Sequence, residues 1–96
     1  MKIFILVLIF LPGFAFGNNV FNGKEVYLKE CSSCHGYDGR GDMAGVSSFV
    51  ESNILFKTDR ELTNVINDGK GLMPAYRGLL SREEIEDVVV YLRTFL

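Results

Sequence analysis

Two cysteines and the chain's single histidine fall within five positions, Cys31, Cys34 and His35, in the heptapeptide ECSSCHG at 30–36. Three chemistries use such residues. A C-x-x-C dithiol of the thioredoxin type sits in a βαβ setting, and no segment here reads convincingly as a strand. A closed structural zinc site takes four Cys or His ligands. This chain has two Cys and one His in all, so a carboxylate would have to complete the set. The third chemistry is covalent haem attachment, for which C-x-x-C-H is the specific signature. On a helical turn, residues i, i+3 and i+4 share one face. Cys31 and Cys34 can each form a thioether with a vinyl group of a macrocycle lying across that face. His35 then turns a ring nitrogen to the iron from the same side. The spacing therefore points to one covalently bound haem c, held by Cys31, Cys34 and His35.

Iron with one axial histidine has a further position to fill. A second histidine from the same chain is excluded, because His35 stands alone. Methionine is the common alternative, and it raises the reduction potential. Met1 lies in the leader described below. Met43, eight residues after His35, would have to swing around the haem edge, and it reads more simply as a loop residue near that edge. Met73 lies 38 residues after His35, in GKGLMPAY, far enough for the chain to cross to the other side. Pro74 fixes its own φ and biases Met73 towards an extended backbone. The expected axial pair is His35 and Met73.

Three helices have start signals that allow them to position these residues. The first is expected from Asn22, with Glu25 three residues on, and runs into Cys31. The second is expected from Thr58 with Glu61, carries Leu62, Val65 and Ile66 on one face, and stops at Gly69. The third is expected from Ser81 with Glu84. Its apolar residues Ile85, Val88, Val89 and Leu92, then Phe95 or Leu96, keep helical period to the end of the chain. GYDGRGDMAG at 36–45 is a loop. SSFVESNILF at 47–56 fits a short helix or an irregular turn. The fold class is all-α, with loops long for so small a domain.

The 96 residues are enough for one domain. Residues 1–17 read as a signal peptide: Lys2, an apolar run over 3–11, Pro12-Gly13, then Ala15-Phe16-Gly17. The run is too short and too broken for the 20 or so apolar residues of a membrane span. Cleavage after Gly17 would leave residues 18–96 as the mature domain, periplasmic or otherwise exported, with no membrane span. Its net charge would be −3, from nine Lys and Arg against twelve Asp and Glu. A nucleic-acid partner would call for a basic surface, and none is visible. So short a domain makes a thin core and calls for a staple. Haem would supply one.

GKEVYLKECSSCHGYDGRG, GLMPAY and EEIEDVVVYLRTFL together resemble a small monohaem class I cytochrome c, of the bacterial electron-carrier type and similar to cytochrome c domains of haem-copper oxidases. The resemblance implies the cytochrome c fold, three main helices and loops wrapped around the haem. It implies that the first and last helices cross, with Gly23 and Tyr27 meeting Tyr91 and Leu92. It also exposes a departure. The family commonly has a Gly-Pro pair after the haem motif, whose carbonyl accepts a hydrogen bond from the ligand histidine. Pro74 is the only proline beyond the leader, so that carbonyl is expected from 44–47 instead. Arg40, Lys70, Tyr76 and Arg77 are candidates for the haem propionates, each equally readable as a solvated surface residue.

The function so implied is that of a monomeric electron carrier, not an enzyme, meeting redox partners such as a reductase, dehydrogenase or terminal oxidase in transient complexes. Two alternatives belong to other classes. One is a haem subunit held permanently in a membrane oxidase or dehydrogenase complex. The other is a haem sensor or peroxidase-like enzyme, which requires Met73 to be off the iron.

Overall fold

The computed structural model describes residues 2–6 and 19–96, so the later part of the apolar run expected over 3–11 and the cleavage site expected after Gly17 lie outside the described residues. Among the described residues four α-helices form: α1, Val20–Glu30; α2, Ser32–His35; α3, Asp59–Asp68; and α4, Arg82–Leu92. Among the described residues no strand forms, and the only pairings of that kind are isolated bridges, Lys70 with Met73 and Arg77 with Leu80. The class is all-α, as the periodicity predicts.

Helix α1 starts earlier than its sequence signal suggests. Asn19, not Asn22, is the cap: its Oδ1 accepts the backbone N–H groups of Phe21 and Asn22, both at 3.1 Å. The cause lies far along the chain. The buried carboxylate of Asp87 accepts the Asn19 backbone N–H at 2.9 Å and the Asn22 side-chain amide at 2.8 Å. Asp87 thus holds Asn19 at the cap, and Asn22 is spent as a donor inside the helix.

The other two starts follow their sequence signals. The Thr58 hydroxyl accepts from Glu61 N at 3.2 Å. Ser81 and Glu84 form a full reciprocal box, with bonds of 3.1 and 2.9 Å. The valine run at 88–90 is helical. Past Leu92 the chain tightens into a 3-10 turn over Arg93–Phe95 rather than continuing as α-helix. Phe95 packs on the core there, whereas Leu96 is exposed. Arg93 stitches this end down. Its guanidinium donates to the carbonyls of Leu55 and Lys57 and pairs with Asp59 at 2.6 Å. The ambiguous 47–56 stretch is a loop closed by a 3-10 turn, Ile54–Phe56, and it buries Phe49 and Leu55.

Helices α1 and α4 cross at Gly23, as the family resemblance implies. A Cβ on Gly23 would lie 2.0 Å from the Asp87 carbonyl oxygen and 3.0 Å from Tyr91 Cβ. Only glycine allows that approach. Tyr27 is fully buried beside the crossing, with its ring centroid 5.2 Å from that of Tyr91. Ile85, Val88, Val89 and Leu92 of α4, Val26 of α1, and Leu62 and Ile66 of α3 complete the core.

Candidate functional site

Cys31 ends α1, and the motif itself turns once more as α2. Cys34 N and His35 N both point to the Cys31 carbonyl, at 3.3 and 3.0 Å. The three motif residues therefore lie on one helical turn, the arrangement their spacing predicts. Gly36 ends the turn at φ 84°. Its carbonyl accepts the buried Tyr27 hydroxyl at 2.7 Å, which anchors the backbone directly after His35 to the α1–α4 interface.

Cys31, Cys34 and His35 open onto a cleft of about 410 Å³. Tyr27 forms part of its wall from α1, Leu62, Val65 and Ile66 from α3, and Val88 and Leu92 from α4. Met73, Pro74 and Tyr76 contribute from the loop after α3, and Met43, Val46 and Phe49 from the loop after α2. The walls are mainly apolar, with two thiols, one imidazole and two thioethers set into them. The four residues singled out in the sequence are thus brought to one place.

The loop carrying Met73 is held firmly. Met73 and Lys70 exchange backbone bonds of 3.0 and 3.1 Å. Tyr76 N and Arg77 N donate to the Ile66 and Asn67 carbonyls of α3 at 3.0 and 3.1 Å. Gly69 makes the turn possible: it has φ 73°, and a Cβ there would sit 2.6 Å from the Met73 carbonyl oxygen. Met73 packs against the core, while Met43, also at the cleft, is half exposed. Met73 is thus an ordered residue of the cleft wall, and Met43 lies at its edge.

Burial sets the electrostatics of the motif. It pushes the Cys31 thiol up to about 12, helped by the charges of Glu30 and Cys34, so the free thiol stays protonated at neutral pH. Burial also lowers the His35 value, favouring the neutral imidazole that a metal requires. His35 Nδ1 is buried with no hydrogen-bond partner among the described residues. The carbonyl expected from 44–47 does not reach it. Those residues turn back on themselves, with Val46 N bonded to the Met43 carbonyl at 3.1 Å. With Nδ1 buried, Nε2 is the nitrogen left for the cleft.

The donor set fits haem and fits the alternatives poorly. Among the described residues no group of three or more His, Cys, Asp or Glu side chains gathers as a bare metal site, which disfavours zinc. Both cysteines are unpaired and lie in helical surroundings, which disfavours a thioredoxin-like dithiol. An apolar cleft edged by both thiols, an imidazole and Met73 suits a large flat apolar cofactor bonded at its rim.

Of the propionate candidates, Arg40 is engaged with Asp38 and Glu51 at 3.5 and 3.0 Å, and Arg77 with Asp68 at 2.5 Å. Lys70 and Tyr76 do line the cleft. The Tyr76 hydroxyl is committed to the Glu30 carbonyl at 2.8 Å, leaving Lys70 as the cation at the cleft. Sequence reasoning missed Phe49, whose ring stacks on His35, and it missed Asp87. The one available signal for Asp87 was a carboxylate set among the apolar residues of α4. Phe49 gave none, because it lies in a stretch without period.

Comparisons with known proteins agree with this geometry. Residues 18–92 match the family described as cytochrome C oxidase, cbb3-type, subunit III. The chain is 33% identical to a cytochrome c6 from Nostoc sp., over 94% of this chain and 89% of that protein. The fold superposes on the KustC0563 c-type cytochrome with a TM-score of 0.70 at 29% identity, covering 76% of this chain and 95% of that one. It superposes on the cytochrome c6 of the diatom Phaeodactylum tricornutum with a TM-score of 0.67 at 25% identity, covering 79% and 92%. This chain belongs to the small monohaem c-type cytochromes, electron-transfer proteins that carry a covalently attached haem c.

Proposed function

We propose that Cys31 and Cys34 carry the haem as thioethers, that His35 Nε2 and the Met73 sulfur are the axial ligands, and that the protein is an electron carrier rather than an enzyme. The observation that carries this reading is the shared cleft: attachment turn, imidazole and one well-anchored methionine line the same apolar space. The haem iron, when bound, supplies a reversible one-electron couple. The chain's own contribution is to hold both axial donors, exclude water with α3, α4 and the Met73 loop, and leave no open coordination position for a substrate. The chain has no second histidine to act as a distal acid–base group, which disfavours a peroxidase-like role.

Redox partners follow from electron transfer, and we assign them to short-lived docking, because a shuttle must release quickly and small interfaces suit that. We further propose that residues 1–17 are removed and that 18–96 is the exported working domain. In support, the family match begins at residue 18, and no helix among the described residues is long and apolar enough to cross a membrane.

Carbon monoxide tests the ligation. The reduced wild-type protein should show no carbon monoxide shift at neutral pH, and Met73→Ala should bind it readily while keeping its haem and losing potential. Rapid binding by the wild type would show an open iron and favour the sensor or enzyme class.

A further inference from the structure

Asn22 and Gly23 form an Asn-Gly pair. In an open chain such a pair is chemically labile. The backbone nitrogen of the second residue attacks the side-chain amide carbon of the first, and glycine, with no Cβ, hinders that approach least. Here the pair sits near the start of α1, at the point where α1 crosses α4. None of Asn22, Gly23 and Asp87 lines the cleft.

The crossing holds the reacting atoms apart. The attacking nitrogen, Gly23 N, gives its proton to the Asn19 carbonyl at 2.9 Å. The leaving group, Asn22 Nδ2, donates to the Asp87 carboxylate at 2.8 Å. The other oxygen of that carboxylate accepts Asn19 N at 2.9 Å, and so fixes the residue whose carbonyl engages Gly23. Gly23 itself is buried so closely against α4 that a Cβ would lie 2.0 Å from the Asp87 carbonyl oxygen. Its backbone cannot swing towards the amide while the helices are crossed. One buried side chain of α4 therefore restrains both ends of the reaction.

The products would not fit the site they come from. An aspartate in place of Asn22 is an acceptor only when ionised, and it would set a second negative charge against Asp87 where an amide donor now stands. Isoaspartate carries the backbone through the side-chain carbon. That inserts one extra backbone atom just before Gly23 and breaks the i to i−4 register of α1.

We propose that Asn22-Gly23 is a modification site guarded by the fold: it deamidates when the α1–α4 crossing opens, and its product keeps the crossing from closing again. In the first step the bond from Gly23 N to Asn22 Cγ forms, the Cγ–Nδ2 bond breaks, and ammonia leaves with the Gly23 proton. Water then opens the resulting succinimide at either carbonyl, to aspartate or isoaspartate. No oxidant or reductant takes part. The crossing thereby works in one direction, and chains that have spent time open are marked at residue 22.

The test follows residue 22 by peptide mass mapping of the haem-loaded protein aged at mildly alkaline pH, folded and in urea, with Asn53, Asn64 and Asn67 as internal references. Asn22 should convert at least roughly tenfold more slowly in the folded wild type than in urea, because only the open fraction reacts. Folded Asp87→Ala should convert it roughly tenfold faster than folded wild type, with the reference asparagines unchanged. Asn22→Asp should melt well below wild type, and adding Asp87→Asn should restore most of the loss by returning a donor to the pair. Equal rates in the folded and urea-unfolded wild type would overturn the guarding role, and this comparison stands even if Asp87→Ala does not fold. Slow conversion in both would show that the pair is not a modification site. An Asn22→Asp protein as stable as wild type would show that the product does not hold the crossing open.

Discussion

The Tyr76 hydroxyl donates to the Glu30 carbonyl at 2.8 Å, across 46 residues of sequence. One end of this bond is three residues past Met73, and the other is one residue before Cys31. It therefore latches the methionine loop to the helix that presents the attachment turn. Removing it with Tyr76→Phe should cost about 1 kcal/mol of stability, the net value of such a bond. The haem should stay attached. The ferric methionine-to-iron band should weaken or disappear at a lower temperature than in wild type. An unchanged band and melting temperature would show that the latch does not hold the loop.

Gly23 makes a sharper prediction. An alanine methyl there would overlap the Asp87 carbonyl oxygen, a backbone atom that cannot step aside without moving α4. Gly23→Ala should destabilise the fold by at least about 3 kcal/mol, at the upper end of overpacking costs. Denaturant titration followed by helix circular dichroism measures this. A cost below about 1 kcal/mol would place the two helices further apart than described.

Asp87 should behave as a clamp on the start of α1. Asp87→Ala strands the Asn19 N–H and the Asn22 amide it now accepts, at about 1–3 kcal/mol. The haem spectrum should be unaltered, because none of Asp87, Asn19 and Asn22 lines the cleft. Amide exchange should quicken first at 20–23. Uniform quickening throughout the chain would argue against a local clamp.

Stability should fall at alkaline pH through Tyr27. Burial above all raises its phenol well beyond the usual value, and its hydroxyl is spent on the Gly36 carbonyl. The unfolded chain ionises its tyrosine near pH 10, while the folded chain keeps the proton. The unfolded state therefore binds fewer protons above about pH 10, and folding free energy declines as pH rises from there. Tyr76 is raised in the same direction, by burial first, and adds to the slope. Tyr27→Phe should flatten most of it in urea titrations run on either side of pH 10. An equally steep decline in that variant would assign the effect elsewhere.

What the sequence reveals, and what it hides, follows from the range of the forces. Cys31, Cys34 and His35 are legible because covalent attachment demands a fixed spacing within one turn. Thr58 and Ser81 are legible because a capping box closes over four residues. Met73 is legible by elimination and by Pro74 beside it. The start of α1 is not, since Asn19 and Asn22 are both good caps and Asp87, 68 residues from Asn19, decides between them. The Gly-Pro departure shows that the carbonyl expected for His35 is not supplied by that pair, but not that the Phe49 ring stacks on the imidazole. Phe49 lies in a loop with no periodicity to read.

The central claim is that one haem is bonded to this chain through Cys31 and Cys34. Intact mass after full denaturation, on protein exported by a host able to mature c-type haem, tests it most directly. The account predicts residues 18–96 plus a single haem, and a mass lacking that haem in the Cys31→Ala, Cys34→Ala double variant. A wild-type chain that sheds all its haem on denaturation would contradict it.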